Sequence, residues 1–288
     1  MPNFSSQYKK LRRSVEISGK SQSTLTNYGR CLAHMGLYLK HDLLDLDDEA
    51  ILDYLHHLKQ KHKTPSDSYF KHTVYGLRYL YRLYQKANSR VILPSIERPK
   101  KLPVVLSTRE VRILLKTPKL LRHRLVLSLL YGCGLRNFEL CQLKITDLDL
   151  DRKVLHVRQG KGGKDRYVPL CDLLIRGIRT YLYAEKPVEW LFNGKSHTGE
   201  YTALTARGVQ WATREARRLS GIKKQVTAHC LRHSYATHLL EMGTNIVTLK
   251  ELLGHENILT TMEYLHVAQL SRKKPFSPLE KLYENPRP

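Results

Sequence analysis

Acidic residues are scarce in this chain: 26 Asp and Glu stand against 49 Lys and Arg, a formal charge of +23 over 288 residues. An excess this large favours a polyanionic partner, because each neutralised phosphate releases condensed counterions. On composition alone, a ribosome-bound protein or a merely soluble basic surface stays open. Long apolar runs are also missing. The longest, from Leu125 to Tyr131, is far too short to span a bilayer. Lys9, Lys10, Arg12 and Arg13 make the N-terminus basic, but it lacks the apolar core of a secretion signal. The five cysteines (Cys31, Cys133, Cys141, Cys171, Cys230) are odd in number, scattered, and never in a close Cys-x-x-Cys pair. That excludes a disulfide framework and a zinc knuckle. Internal repeats and low-complexity tracts are absent. The expected setting is a reducing, DNA-containing compartment: cytoplasmic, associated with the nucleoid, and away from membranes.

What is present supports two folded domains. The hydrophobic fraction is 41% in a chain of 33.5 kDa, enough for two cores. Ser21 to Asp42 reads as a helix that Ser23 can cap, with Leu25, Tyr28, Leu32, Met35 and Leu39 at helical spacing. Asp47, Asp48 and Glu49 place acid at the start of a second helix with Ile51, Leu52, Leu55 and Leu58 on its apolar face. A loop around Lys63 to Ser66 leads into an aromatic helix from Asp67 to Ala87. Residues 1–92 therefore read as a small helical bundle. Lys40, Lys59, Lys61, Lys63, Lys71, Arg78, Arg82 and Lys86 can track a phosphate backbone or simply form a solvated face. His56, His57 and His62 match no usual metal-ligand spacing. Residues 93–105, with Pro94, Pro99 and Pro103 among Arg98, Lys100 and Lys101, read as a linker.

Residues 106–288 read as a second, α+β domain. Ser107 with Glu110 is a helix-start signature, and the apolar helix from His123 to Tyr131 belongs in a core. Gly132-Cys133-Gly134 breaks it before a new helix carrying Arg136 and Glu139. Two strand-like runs, Val154 to Arg158 and Arg166 to Leu170, form a β-hairpin whose glycine-rich turn displays Lys161. The turn is no phosphate-binding loop, since a strand follows it where a helix is required. Thr227 can cap a helix from His229 to Met242. Asn245 starts another that Gly254 closes, and Thr260 to Leu265 make a short last helix. The fold expected is mainly α with a small β-sheet.

One stretch carries chemistry. His229, Arg232 and His233 share a helix face, three and four residues apart. Such a pair of basic residues in isolation reads as a surface patch. Here the helix is flanked by apolar residues that should bury it, and a buried arginine needs an anion. Phosphate is the anion a basic chain meets, and guanidinium matches it bidentately. A zinc reading of His229, His233 and His238 puts an arginine beside the metal and lacks the metalloprotease glutamate. Tyr264 lies a short way downstream, and Arg136 and Lys161 are placed to join it. The set reads as a phosphoryl-transfer site with a protein nucleophile and no metal or other cofactor.

These residues resemble the tyrosine recombinases, the group that includes phage integrases and the Xer-type chromosome-dimer resolvases. The likeness rests on Gly134-Leu135-Arg136 with Glu139-Leu140, Gly160-Lys161-Gly162, His229-x-x-Arg232, Leu253-Gly254-His255, and Tyr264 nine residues on. It implies a helical core-binding domain followed by a catalytic domain of the DNA breaking-rejoining type. It implies that Arg136 and Arg232 clamp the scissile phosphate and that Tyr264 attacks it to give a 3′-phosphotyrosyl link. Lys161 is then the acid for the leaving 5′-oxygen, His229 the base, and His255 a donor to a phosphate oxygen. Glu139 either holds Arg136 or stabilises its own helix; Tyr235 packs, and Tyr283 lies in a proline-bounded tail remote from the histidines. The implied partners are a double-stranded DNA recombination site, a homo-tetramer on synapsed DNA, and an accessory DNA-bending factor. The tail from Leu270 to Pro288 either docks on a neighbouring protomer or on its own domain. A catalytically silent DNA-binding protein and a topoisomerase-like enzyme are the competing readings.

Overall fold

The computed structural model describes residues 3–61, 67–86, 102–158, 165–195 and 199–268. Packing divides the chain into two compact units, Met1–Lys100 and Lys101–Pro288. The linker expected at 93–105 lies largely outside the described residues, as do Lys161 and the tail beyond 268.

The first unit is a helical bundle of α1 (Phe4–Ile17), α2 (Gln22–Leu39), α3 (Asp48–Lys61) and α4 (Asp67–Leu83). Leu11, Leu25, Leu32, Met35, Tyr54, Leu77 and Leu80 close its core. Two sequence expectations change. Ser21, not Ser23, caps α2: its Oγ accepts the Thr24 N–H at 3.3 Å. Ser21 lies outside the helix with extended backbone, whereas Ser23 sits inside the first turn and its hydroxyl reaches only that of Ser21. The basic N-terminus is itself a helix, because Leu11 and Val15 lie one turn apart and bury against the bundle. Lys40, Arg78, Arg82 and Lys86 are exposed and Lys71 is half-buried. His56 is exposed, while His62 lies outside the described residues.

The second unit is α+β. α5 (Thr108–Lys116) carries the full capping box of Ser107 and Glu110. α6 (Leu121–Gly132) and α7 (Asn137–Cys141) follow, the break between them falling at Gly134. β1 (Leu148–Asp149), β2 (Val154–Val157) and β3 (Arg166–Pro169) form an antiparallel sheet in that order, with Val157 opposite Arg166. α8 (Asp172–Glu185), the ribbon of β4 (Asn193–Lys195) and β5 (Tyr201–Ala203), and α9 (Ala206–Ser220) enclose the core. α10 (Ala228–Glu241), capped by Thr227, runs through the middle. Cys230, Leu231, Arg232, Ser234, Tyr235, Ala236, Thr237 and His238 are all buried on it. Ser234 Oγ accepts the buried Leu106 N–H at 2.9 Å, tying the start of the unit to this helix. α11 (Ile246–Leu253), α12 (Ile258–Met262) and a 3₁₀ turn (Glu263–His266) pack on its far side. No helix among the described residues is long and apolar enough to cross a membrane.

Gly134 is where backbone conformation and packing meet. Its φ is +57°, and a Cβ there would lie 2.4 Å from the Tyr235 ring. An Ala side chain meets both the left-handed penalty and an overpacked wall. Gly134→Ala is therefore expected to destabilise the second unit by about 1–3 kcal/mol. Both tryptophans, Trp190 and Trp211, lie in that unit. Fluorescence-detected urea unfolding should show a lower midpoint at unchanged slope.

Candidate active site

The break after α6 delivers Arg136 to the N-cap of α7. There Glu139 receives both the Arg136 backbone N–H at 2.8 Å and its guanidinium at 2.7 Å. Glu139 is buried, and Arg166 of β3 grips the same carboxylate with two further bonds at 2.9 and 2.8 Å. Arg232, only 3% exposed, stands 3.8 Å from it. Arg232 donates to Gly134 O at 2.5 Å, so the φ-positive turn that positions Arg136 also holds Arg232.

The end of α11 completes the cradle. Arg166 Nε donates to Leu252 O at 2.8 Å, Arg232 Nη2 to Leu253 O at 2.6 Å, and Arg136 Nη2 to Gly254 O at 3.2 Å. The last carbonyls of a helix have no partner within it, and they form the negative pole of its dipole. Three consecutive ones are each met by a different arginine. Gly254, at φ +61°, then turns the chain so that His255 faces back to Arg232, with Nε2 3.1 Å from Nη2.

Charge follows from this geometry. Burial pushes the Glu139 carboxyl up, but Arg166 and then Arg136 outweigh it and hold its pKa at about 2. Burial, reinforced by Arg136, lowers Arg232 to about 10, which leaves it charged at neutral pH.

Tyr264, on the 3₁₀ turn, is buried with its hydroxyl 3.2 Å from His233 Nδ1. Its ring stacks on His255 at 6.2 Å between centroids. Burial raises the Tyr264 pKa while Arg232 opposes it. His255 is held at its other nitrogen by Thr261 Oγ1, 2.9 Å from Nδ1. His229 is exposed, one turn before His233, with the two rings 6.4 Å apart. Partial desolvation of the rings lowers both pKa values; Arg232 adds to the effect on His229, and His229 then Arg232 to that on His233.

Arg136, Arg232, His255 and Tyr264 thus converge, and His229 stands at the rim. Lys161 lies outside the described residues, between strands whose ends are Val157 and Arg166. His238, considered above with a zinc set, pairs instead with Tyr131 at 2.9 Å. Sequence reasoning missed two members. His233 was legible as part of the shared helix face, but was given no role. Arg166 had a signal in strand alternation: it shares a face with buried Val168, and a charge on the inward face of a strand demands a counter-ion.

The carboxylate's low pKa yields a test. A group depressed from 4.5 to about 2 contributes stability that is complete above 4.5 and lost as pH falls towards 2. On the order of 3 kcal/mol should disappear from the second unit over that window. In Glu139→Gln this acid loss should flatten, and stability at pH 7 should fall by about 3–5 kcal/mol because Arg166 loses its buried partner. Urea midpoints at a series of pH values check both.

Comparison with known proteins agrees with this architecture. The model for the phage integrase family matches residues 105–270. A putative integrase/recombinase of Sinorhizobium fredii is 35% identical over 97% of this chain and 89% of its own. The tyrosine recombinase XerA of Thermococcus kodakarensis is 36% identical over 88% of each chain. Among solved structures, a XerA recombinase matches over 99% of both chains at 25% identity with a TM-score of 0.52. XerH in a post-cleavage complex with a palindromic difH substrate shares the fold at 23% identity, with a TM-score of 0.70 over 85% of this chain and 76% of that one. The chain belongs to the phage integrase family of tyrosine recombinases, enzymes that cut and rejoin DNA strands with a tyrosine nucleophile.

Proposed function

We propose that this recombinase cuts and reseals DNA at a specific site through a 3′-phosphotyrosyl intermediate formed on Tyr264, drawing on neither a metal nor ATP. The observation that carries the reading is the burial of Tyr264 against His233 and His255, with Arg232 bonded to His255. A free tyrosine has a pKa of about 10, so attack at neutral pH needs a proton acceptor and local positive charge. The arginines supply the charge where a nuclease uses a metal.

In this mechanism Tyr264 Oη forms a bond to phosphorus and the bond from phosphorus to the 5′-oxygen breaks. Arg136 and Arg232 hold the non-bridging oxygens as charge builds on them, and His255 adds a hydrogen bond. Lys161 gives the departing 5′-oxygen its proton, and His229 takes the tyrosine proton. Attack by a 5′-hydroxyl on the phosphotyrosine reverses the step and reseals either the same strand or an exchanged one. The covalent link conserves the phosphodiester's energy, which is why no ATP is drawn on.

The partner is a double-stranded recombination site, in keeping with the +23 charge and with the difH-bound state of the XerH neighbours. In this reading residues 1–92 form the core-binding domain and 106–288 the catalytic one. Exchange between two duplexes needs four active sites, hence a homo-tetramer on synapsed DNA, with an accessory DNA-bending factor and the tail beyond Leu270 as further parts of the assembly.

Covalent trapping in EDTA tests the chemistry. Wild type and Tyr264→Phe are incubated with sheared DNA of the source genome and denatured, and the protein-linked ends are sequenced. Adducts from wild type alone, at a recurring sequence, are expected. Tight, salt-sensitive binding without adducts would point to a silent DNA-binding protein, and adducts surviving in Tyr264→Phe to another nucleophile.

A further inference from the structure

Both oxygens of Glu139 are fully occupied. Oε1 accepts from the Arg136 guanidinium at 2.7 Å and from Arg166 Nη1 at 2.9 Å. Oε2 accepts from the Arg136 backbone N–H and from Arg166 Nη2, both at 2.8 Å. An ionised carboxyl offers about four lone-pair sites, and these bonds fill them. Arg232 Nη1 stays outside at 3.8 Å and donates to Gly134 O instead. Among the described residues Arg136 gives one side-chain bond to Glu139 and one to Gly254 O, so the remaining donors of its fork are available. Arg166 differs. All three of its nitrogens are engaged, on Glu139 and on Leu252 O, and its side chain is only 8% exposed. It also lies against Gly254, where a Cβ would meet Arg166 Nη1 at 3.1 Å.

We infer that Arg166 is a positioning residue: by occupying half of Glu139 it keeps Arg136 and Arg232 from closing on the carboxylate, and leaves both to the scissile phosphate. The inference rests on the proposed reading of those two arginines as the phosphate clamp. Without Arg166, two lone-pair sites reopen on a buried carboxylate, and an unsatisfied buried acceptor is costly. The cations already in reach are Arg136, bonded to Oε1, and Arg232, 3.8 Å from Oε2. Guanidinium meets a carboxylate as it meets a phosphate, with two donors to two oxygens. Glu139 and the DNA would then compete for the same forks. The bond from Arg166 to Leu252 O acts in the same direction, since the next two carbonyls of that helix end fix Arg232 and Arg136. A lysine restores the charge but not the geometry, because it lacks the rigid fork that spans both oxygens of Glu139.

Crystal structures of the DNA-free wild type and of Arg166→Met give the first test. In the variant Arg232 Nη1 should leave Gly134 O and close on Glu139, from 3.8 Å to about 2.9 Å, and Arg136 should turn a second donor to the carboxylate. Where Arg166→Met does not fold, Arg166→Lys is read in the same way, since one ammonium leaves part of Glu139 open. Clamp arginines that keep their wild-type places overturn the inference.

The second test is single-turnover adduct formation on a nicked duplex carrying the sequence recovered from wild-type trapping. The short 5′-hydroxyl strand diffuses away, so cleavage is not reversed. At saturating duplex the rate constant should fall about 10²-fold in Arg166→Lys and in Arg166→Met, with the half-saturating duplex concentration unchanged. A fold that is merely less stable would lower the amplitude and leave the rate constant of the folded fraction as it was. Adding Glu139→Gln to Arg166→Met removes the competing charge and should recover the rate by about tenfold. Wild-type rate constants in both single variants, a loss confined to duplex affinity, or a double variant no faster than Arg166→Met each overturn the inference. Absence of adducts from wild type overturns the nucleophile reading instead, and the crystal structures then decide the place of Arg166 by themselves.

Discussion

Everything at the site depends on one carboxylate. Glu139 is buried among Arg136, Arg166 and Arg232. Unpaired, cations this close in a poorly solvated interior would repel one another and expel themselves into water. The protein meets that cost with Glu139 and with the three terminal carbonyls of α11. Arg166 spends its whole fork on Glu139 and Leu252 O. Arg136 bonds the same carboxylate and Arg232 stands 3.8 Å from it, so three guanidiniums face one negative charge before any ligand arrives. A phosphodiester brings one negative charge, and attack by a tyrosine oxygen leaves two on the pentacoordinate phosphorus centre. Among these four groups two net positive charges are left over, a surplus that favours an anion and favours it more as negative charge builds on it.

The same contacts explain why elements far apart in sequence must fold together. Arg232 reaches Gly134 across 98 positions, and Arg136 reaches Gly254 across 118. Neither α7, a helix of five residues, nor α11, one of eight, is long enough to be stable by itself. The end of α11 is held by Arg136 from the N-cap of α7, and α7 with the turn before it by Arg166 of β3 and Arg232 of α10. These arginines are therefore a tertiary staple, and under the proposed mechanism substitutions in them act on folding as well as on chemistry. Stability and adduct formation have to be read side by side for that reason.

Much of this was legible in the sequence because helix ends leave chemical marks. Ser107 with Glu110, Thr227, Asn245 and Gly254 all mark helix termini, and each sits where the caps or turns of α5, α10 and α11 occur. The spacing of His229, Arg232 and His233 needed only the helical repeat. Elsewhere the marks are faint. α9 buries Val209, Ala212, Thr213 and Ala216, so its inward face lacks the large aliphatic side chains that announce a core helix. α1 hides two aliphatic residues in a basic stretch. Ser21 and Ser23 compete as caps in sequence, and only the backbone conformation decides between them. Arg166 was harder, since its partner Glu139 is 27 positions away and the pairing requires the register of β3 against the rest of the unit.

His229 and His233 share one face of α10 but not one depth, and there one-dimensional spacing stops being sufficient. A motif specifies that a histidine stands three residues before an arginine on one helix; it does not specify depth. α10 is buried along most of its length, so a shift of one turn along it changes solvent access more than it changes direction. His229 lies in the first turn, beside the Thr227 cap and open to water. His233 lies a turn further in, where Tyr264 covers it. Tyr264 reaches that depth because Gly254 reverses the chain after α11 and Asn257 caps α12, which feeds directly into the 3₁₀ turn. Which histidine of α10 meets Tyr264 is thus set by the path of the segment after α11, and not by the α10 motif alone. Lengthening or shortening the stretch between Gly254 and Tyr264 would re-aim the hydroxyl along α10 while leaving every named residue in the sequence.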